Sequence, residues 1–292
     1  MAVTVGTTLA VGAARGWDIS AIFGRVFSAD TTQTEKGFDF ERYGKAMDDW
    51  YRGEDFDIHV IGAAADSDSV FVLLDAVGEG DWSEVINTSC SMNMSGNFSG
   101  ESDPDWQGTS CDAYDVEGNA IRYLLSWNTS STEGKTLSFR PEAISCYDLN
   151  EEPMRLNFGS AEISVEVDFP VCEDRRVYEI GKEFEYCGQT FRVDRVELTP
   201  FRYAVYMTDP NGLSQLSFKR YSEGIVTDGV YNEDFESNGA ILKDGTRLTA
   251  RFMGVGISGS DDEKVFGGFI CPVDLDEISE LMIAPDFVIS LE

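Results

Sequence analysis

The strongest constraint on the fold of this chain is a run of alternating apolar and polar residues, FDIHVIGAAADSDSVFVLLDAVG, at positions 56–78. Every second residue from Phe56 to Val60 is apolar, which is the pattern of a β-strand with one buried face. An acidic turn at 66–69 separates this strand from a more continuously apolar run at 70–77, typical of a central strand in a covered sheet. The segment therefore predicts a β-hairpin inside a larger sheet.

Short runs with the same period recur along the rest of the chain, and turns rich in Gly, Asp and Asn separate them. The pattern predicts further strands at 120–127, 135–139, 154–158, 161–169, 183–186, 190–198, 202–207, 216–221, 239–242, 247–252, 266–271 and 287–291. Strands of this length, broken by such turns, favour β-sandwiches over a βαβ fold. We expect a mainly β protein with two β-sandwich domains of the immunoglobulin-like kind.

The periodicity lapses at 170–176, which we interpret as the junction between two domains. The first β domain is then expected at 53–170 and the second at 176–292. Ahead of them, segment 16–52 is predicted to be helical, because apolar residues recur there at helical spacing. These residues are Trp17, Ile19, Ile22, Phe23, Val26 and Phe27 in a first helix, and Phe40, Tyr43, Met47, Trp50 and Tyr51 in a second.

The chain begins with an uncharged stretch, MAVTVGTTLAVGAA. A helix that spans a bilayer needs about 20 apolar residues, and a secretory signal needs a positive region before its apolar stretch. Residues 1–15 are therefore interpreted as the remnant of a membrane span that is truncated here, with the rest of the chain on the extracytoplasmic face of the cell membrane. A frayed or buried N-terminal helix is the alternative.

The charge of the chain excludes one class of partner. Its 292 residues include 22 Lys and Arg against 53 Asp and Glu, a formal net charge of −31. That charge repels the phosphate backbone of nucleic acids, so nucleic-acid binding is excluded as a main function. Between 53 and 121 the sequence holds 15 carboxylates and no Lys or Arg. This stretch is either a solvated acidic surface or a face for divalent cations or a basic partner.

The six cysteines form no Cys-x-x-Cys pair, so they lack the spacing of a zinc site. In an extracytoplasmic setting they permit up to three disulfides, and buried thiols are the alternative. We single out Cys90 with Cys111, because they flank the polar stretch 91–110, which belongs to a long loop expected at 91–112. The competing pair is Cys172 with Cys187, across the domain junction.

Acidic turns are the other candidate sites. Asp66 and Asp68 in the first hairpin, and Asp261 and Asp262 in the second domain, supply the carboxylate oxygens that Ca²⁺ takes as ligands. The full spacing of an EF-hand loop is missing at both places. The four residues are therefore calcium candidates only, and an ordinary acidic turn is the simpler interpretation.

The sequence contains no motif typical of a catalytic site. The single histidine, His59, is expected on a strand with Asp57 on the same face, as a surface or satisfied strand residue rather than an acid or base. The run GVGISG at 254–259 precedes an acidic stretch and not the helix that a dinucleotide-binding loop requires. We expect no catalytic residue and no cofactor.

The order of these segments resembles a known family. SAIFGRVF at 20–27, followed by FDIHVIGAAADSDSVFVLLDAVG, is similar to the domain-of-unknown-function 4179 family. Its members are ectodomains of single-span, anti-sigma-factor-like proteins of Gram-positive bacteria. The similarity is strongest over 13–78. In the second half, CGQTFRVDRVELTPFRYAVYM, LKDGTRLT and VDLDEISELMI resemble the C-terminal β domain of the family.

The resemblance implies a non-enzymatic extracytoplasmic domain of a membrane-anchored regulatory or sensor protein at the bacterial cell surface. Its partner would be a protein or a cell-envelope ligand. A cell-surface adhesion or carbohydrate-binding module, which would use acidic loops and exposed aromatic side chains, is the alternative.

We predict that moderate salt raises the melting temperature of the folded chain. Salt screens the mutual repulsion of a net charge of −31 over a Debye length of about 8 Å at physiological ionic strength. Scanning calorimetry at low and physiological ionic strength measures the effect. A specific calcium site adds a rise beyond that of sodium chloride at equal ionic strength, and an equal rise in the two salts would dismiss it.

Overall fold

A computed structural model describes Phe23 and the ranges 40–79, 89–99, 112–114, 119–128, 132–147, 154–186, 189–208, 226–227, 230–231, 239–249, 256–258, 264–269, 274–284 and 287–291. The segment 1–15, interpreted above as the remnant of a membrane span, lies outside these residues. Within the described ranges, no helix combines the length and the apolar character needed to cross a membrane.

The described chain is mainly β, which confirms that part of the fold class expected from the alternation. It divides into two compact units, and the division falls between Cys172 and Glu173. The described part of the first unit contains α1 (Phe40–Tyr43), β1 (Gly44–Tyr51), β2 (Phe56–Ala65), β3 (Ser69–Gly78), β4 (Ser89–Phe98), β5 (Asp112–Tyr114), β6 (Ala120–Asn128), β7 (Thr136–Tyr147), β8 (Met154–Asn157) and β9 (Ile163–Glu166).

The described strands of the first unit form two antiparallel sheets. One has the strand order β1-β2-β3-β6-β5, and the other has the order β4-β7-β8, with β9 also paired to β7. Side chains from both sheets form one buried cluster, in which Trp127 of β6 lies against Phe139 of β7 with ring centroids 5.0 Å apart. Burial of this shared apolar surface is the main force that holds the two sheets together.

The position of β3 explains why its sequence is almost continuously apolar. The strand lies between β2 and β6. Four consecutive residues of β3 are fully buried, although successive side chains point to opposite faces of the sheet: Phe71, Val72, Leu73 and Leu74. Both faces of the sheet are therefore covered at this place. On the face away from the shared core, Phe23 stacks on Phe40 with ring centroids 5.3 Å apart.

The prediction of a second helix at 40–51 was wrong for most of its length. Only Phe40–Tyr43 is helical, and Gly44–Tyr51 is the edge strand β1, paired with β2 from Gly44↔Ala64 to Tyr51↔Ile58. Apolar residues at helical spacing mimicked an amphipathic helix because β1 is irregular, with a register shift between Ala46 and Asp49. Pairing with β2 supplies backbone hydrogen bonds that local periodicity does not reveal.

The prediction of a long loop at 91–112 was wrong for its first part. Ser89–Phe98 is the strand β4, paired with β7 along its whole length. Its Ser, Gly and Asn content concealed two core residues, Met92 and Phe98. Gly96 is required there, because a Cβ atom at this position would lie 2.8 Å from Phe139 Cβ.

The described part of the second unit contains β10 (Arg176–Tyr186), β11 (Gln189–Leu198), β12 (Arg202–Thr208), β13 (Val226–Thr227), β14 (Val230–Tyr231), β15 (Gly239–Leu242), β16 (Arg247–Thr249), β17 (Gly256–Ser258), β18 (Lys264–Phe269), a 3₁₀ turn (Leu275–Glu277), β19 (Ile278–Ala284) and β20 (Phe287–Ser290). Its sheets have the orders β10-β11-β12-β18-β17 and β16-β15-β19-β20, with β13 and β14 as a separate pair. Phe184 of β10 and Phe287 of β20 bring one ring from each of the two larger sheets to a centroid distance of 5.4 Å.

A carboxylate on β11 of the second unit lies between two arginines. Glu197 pairs with Arg195 at 3.1 Å and forms a short ion pair with Arg175. The Arg195 guanidinium also lies 3.4 Å from the centroid of the Tyr206 ring. Burial raises the pKa of Glu197, but the hydrogen bonds from Arg195 and Arg175 outweigh burial, and the net effect holds this pKa below its ordinary value.

We predict that Glu197→Gln lowers the free energy of unfolding at neutral pH and flattens its dependence on acid pH. A depressed pKa in the folded state contributes stability above the unfolded value of 4.5, and this contribution is lost as the pH falls through the folded value. Urea unfolding of the full chain between neutral and acid pH measures both effects. Glu183→Gln removes one negative charge from the same sheet and controls for net charge. An acid dependence equal to that of the unaltered chain would contradict the role of Glu197.

Candidate ligand-binding face

Four side chains lie in one row across the outer face of the five-stranded sheet of the first unit. The register places Trp50 of β1 opposite His59 of β2, His59 opposite Asp75 of β3, and Asp75 opposite Arg122 of β6. The residues on either side of His59, Ile58 and Val60, belong to the shared core. The row therefore lies on the face away from that core. We call these four residues, together with Asp48, the Trp50 face.

His59 is held on two sides. Its ring stacks on the Trp50 indole with centroids 4.2 Å apart and an angle of 8° between the planes. His59 Nε2 also donates a hydrogen bond to Asp48 Oδ1 at 2.8 Å. Only 12% of the His59 side chain is exposed. The imidazole is thus fixed in orientation by one carboxylate and one aromatic ring.

A β-bulge lies beside Asp48 in β1. Ala46 pairs with Gly62 and Asp49 pairs with Val60, so Met47 and Asp48 together lie opposite the single residue Ile61. Beyond the bulge, Asp48 and Trp50 are two residues apart, so alternation directs both to the face of His59. Both therefore contact the ring of His59.

Trp50 is the exposed member of the Trp50 face. Its indole is 55% exposed even though one of its faces lies against His59. The next residue along the strand, Tyr51, packs on the shared core instead, and burial together with the charge of Asp49 raises the pKa of its phenol. Alternation thus directs Tyr51 inwards and Trp50 outwards. The result is a large aromatic surface that faces water in a fixed orientation.

Charged hydrogen-bonding groups complete the Trp50 face. Arg122 binds Asp75 in a bidentate ion pair, with Nε to Oδ1 at 2.8 Å and Nη2 to Oδ2 at 2.9 Å. Such a planar fork holds both side chains in one geometry. Beside the row, Asp57 pairs with Arg52 at 2.9 Å. The arrangement therefore combines a preset aromatic plane with donors and acceptors of fixed position, which suits binding.

The structure gives the acidic turn a structural role at Asp66. This residue is fully buried, and its Oδ1 accepts hydrogen bonds from the backbone N–H groups of Asp68 at 3.0 Å and Ser69 at 2.7 Å. Its own carbonyl accepts a short hydrogen bond from the Thr132 hydroxyl. The described residues include no group of three or more His, Cys, Asp or Glu that could hold a metal ion.

The other candidate residues lie wholly or partly outside the described part of the chain. Asp261, Asp262 and Cys111 are outside it, and of Cys90 only the backbone is placed, on β4. The calcium site and the Cys90–Cys111 disulfide therefore stay predictions.

Sequence reasoning identified His59 but not its surroundings. It placed Asp57 on the same face as His59 but did not find the partners, since Asp57 pairs with Arg52 and the hydrogen-bond partner of His59 is Asp48. Trp50 and Asp48 were missed because residues 40–51 were predicted as a helix. Asp75 and Arg122 are the signal in the sequence that could have indicated this row. Each is a charged residue inside an otherwise apolar strand, and a charge in a covered strand needs a charged neighbour.

Comparisons with known proteins bear on the fold alone. No protein-family model matches the chain, and no curated protein matches it. Among solved structures, the chain is similar to one described as the conserved domain protein from Bacillus anthracis. The TM-score is 0.50 and the identity 10%, over 84% of this chain and 78% of that one.

We predict that Asp66→Ala destabilises the first unit by about 1–3 kcal/mol, because the substitution leaves two backbone N–H groups without their acceptor at a buried site. Asp66→Asn retains an acceptor at Oδ1 and should cost less. The matched control is Asp55→Ala, which removes a carboxylate that accepts from Asn157 N at 2.7 Å at an exposed site, where water replaces it. Urea unfolding measures all three, and equal losses for Asp66→Ala and Asp55→Ala would contradict the role of burial.

Proposed function

We propose that this chain is the non-enzymatic extracytoplasmic part of a membrane-anchored bacterial protein of the regulatory, anti-sigma-factor-like or sensor kind. In this proposal the Trp50 face binds the protein partner or the cell-envelope ligand that carries the signal. The observation that supports it is the exposed indole of Trp50, 55% accessible and stacked flat on a histidine that Asp48 holds in place.

The energetics of binding favour this surface. Tryptophan is among the side chains that contribute most to the free energy of association at protein interfaces. A side chain that is already ordered before binding loses less conformational entropy when the partner arrives. Trp50 meets both conditions, because its contact with His59 orders it while most of its surface remains open to a partner.

The fold and the resemblance in sequence support the class of protein. We propose that each unit is an immunoglobulin-like β-sandwich. In the first unit two sheets share one core. In the second unit the rings of Phe184 and Phe287, one from each of the two larger sheets, lie against each other. Such domains commonly present binding surfaces at the outside of cells. The similarity of 13–78 to the domain-of-unknown-function 4179 family supports the regulatory role.

A carbohydrate-binding or adhesion module is the second candidate. The observation that favours it is the position of the Asp75–Arg122 ion pair in the same row as Trp50. An indole plane packs against the apolar face of a sugar ring, and fixed charged groups hydrogen-bond to its hydroxyls.

We predict that Trp50→Ala weakens binding roughly thirtyfold, as expected when truncation of a dominant interface residue costs about 2 kcal/mol. The test introduces this change into the complete gene of the source bacterium and compares transcripts and attachment to purified cell-wall polysaccharide. The regulatory role predicts the same change in transcripts as deletion of the gene, with attachment unaltered. The adhesion role predicts loss of attachment, with transcripts unaltered.

Val177→Ala is the matched control, since Val177 is a comparably exposed apolar residue, 52% accessible, in the second unit. Circular dichroism of the purified chain checks that both variants fold. If Trp50→Ala alters neither transcripts nor attachment, or if Val177→Ala has the same effect, the Trp50 face is not the binding surface.

A further inference from the structure

The backbone register brings two cysteines to directly opposite positions in the second sheet of the first unit. Cys90 of β4 pairs with Cys146 of β7, and the pairs on either side, Ser89↔Tyr147 and Ser91↔Ser145, continue the same regular ladder. The register shift in this pair of strands comes later, between Asn93 and Met94. The two cysteines are 56 residues apart in sequence, so the tertiary structure alone makes them neighbours.

Directly opposite residues of an antiparallel pair have Cα atoms about 4.5–5.5 Å apart. A disulfide requires a Cα–Cα separation of about 4.4–6.8 Å. The backbones of β4 and β7 therefore already have the spacing that a bridge needs, without movement of either strand.

The position of the pair also suits a bridge. Cys146 belongs to the shared core and is 2% exposed, which shields a bond at this place from reductants once the unit is folded. The pair lies next to the end of the ladder, since Ser89 and Tyr147 are the terminal residues of β4 and β7. Strand ends open most readily, so the thiols are accessible during folding and in transient openings.

We propose that Cys90 and Cys146 form a cross-strand disulfide when the chain is in an oxidising compartment. The oxidant is a second disulfide, that of a thiol oxidoreductase in the cell or of oxidised glutathione in vitro. The thiolate of one cysteine attacks the oxidant and releases its first thiol, which leaves a mixed disulfide. The thiolate of the other cysteine then displaces the second thiol. Two cysteines are oxidised, one disulfide is reduced, and the two protons pass to the released thiols.

The bond would fasten an edge strand. Within the described residues, β4 pairs with β7 alone, whereas β7 pairs with β4, β8 and β9. A covalent link at the end of this pair keeps β4, with its core residues Met92 and Phe98, in place against the second sheet. It also constrains the unfolded chain by closing a long loop. This inference is independent of the role proposed for the Trp50 face.

The experiment maps the linkage in the full chain. The protein is refolded with reduced and oxidised glutathione, the remaining thiols are alkylated, and the digest is analysed by mass spectrometry without reduction. The expected result is one peptide pair that joins Cys90 to Cys146, lighter by two hydrogen atoms than the two reduced peptides together. A Cys90–Cys111 link, or Cys90 alkylated in most molecules, would overturn the proposal.

Two variants extend the test. Cys111→Ser should retain the Cys90–Cys146 link, and Cys146→Ser should abolish it. The oxidised chain should melt several degrees above the reduced chain, and Cys146→Ser should remove that difference. If Cys146→Ser does not fold, the peptide map of the unaltered chain and that of Cys111→Ser decide the question.

Discussion

The first unit depends on one buried carboxylate at the tip of the β2–β3 hairpin. Asp66 joins three distant parts of the chain, because its side chain caps the turn, its carbonyl binds the Thr132 hydroxyl, and its backbone bridges to Cys172. The neighbouring backbone groups continue this network, with Ser67 N bound to Cys172 O and Thr132 N bound to Ser67 O. A polar group at a fully buried site is tolerated only when its hydrogen bonds are made. The turn, the segment before β7 and the end of the unit are therefore fixed together.

The same hairpin supports the Trp50 face. β2 carries His59 and β3 carries Asp75. The register of the two strands places these residues directly opposite each other, so the stacked rings of Trp50 and His59 lie next to the Asp75–Arg122 ion pair. Asp48 of β1 adds a hydrogen-bond partner of His59. An exposed aromatic side chain on a rigid sheet, supported from beneath by a fixed ring, has the preorganisation that a binding surface needs.

Prediction from the sequence succeeded where local pattern and final environment agree. The run at 56–78 alternates in its first half and is apolar in its second, and it forms the hairpin of β2 and β3. Prediction failed where a strand is irregular or short of apolar residues. Residues 44–51 have a bulge that imitates helical spacing, and 89–98 pair with β7 along their whole length. In both segments the deciding interactions come from a partner strand and not from the segment's own pattern of residues.

The sequence by itself determined the mainly β class, the acidic character and the turn at Asp66, because these depend on composition and on residues close together in the chain. Only the tertiary structure decided that Trp50 stacks on His59, that Asp48 binds it, and that Cys90 lies opposite Cys146. Each of these pairs is set by strand register. Register follows from burying one face of every strand in a common core, and that condition is satisfied by the folded chain as a whole.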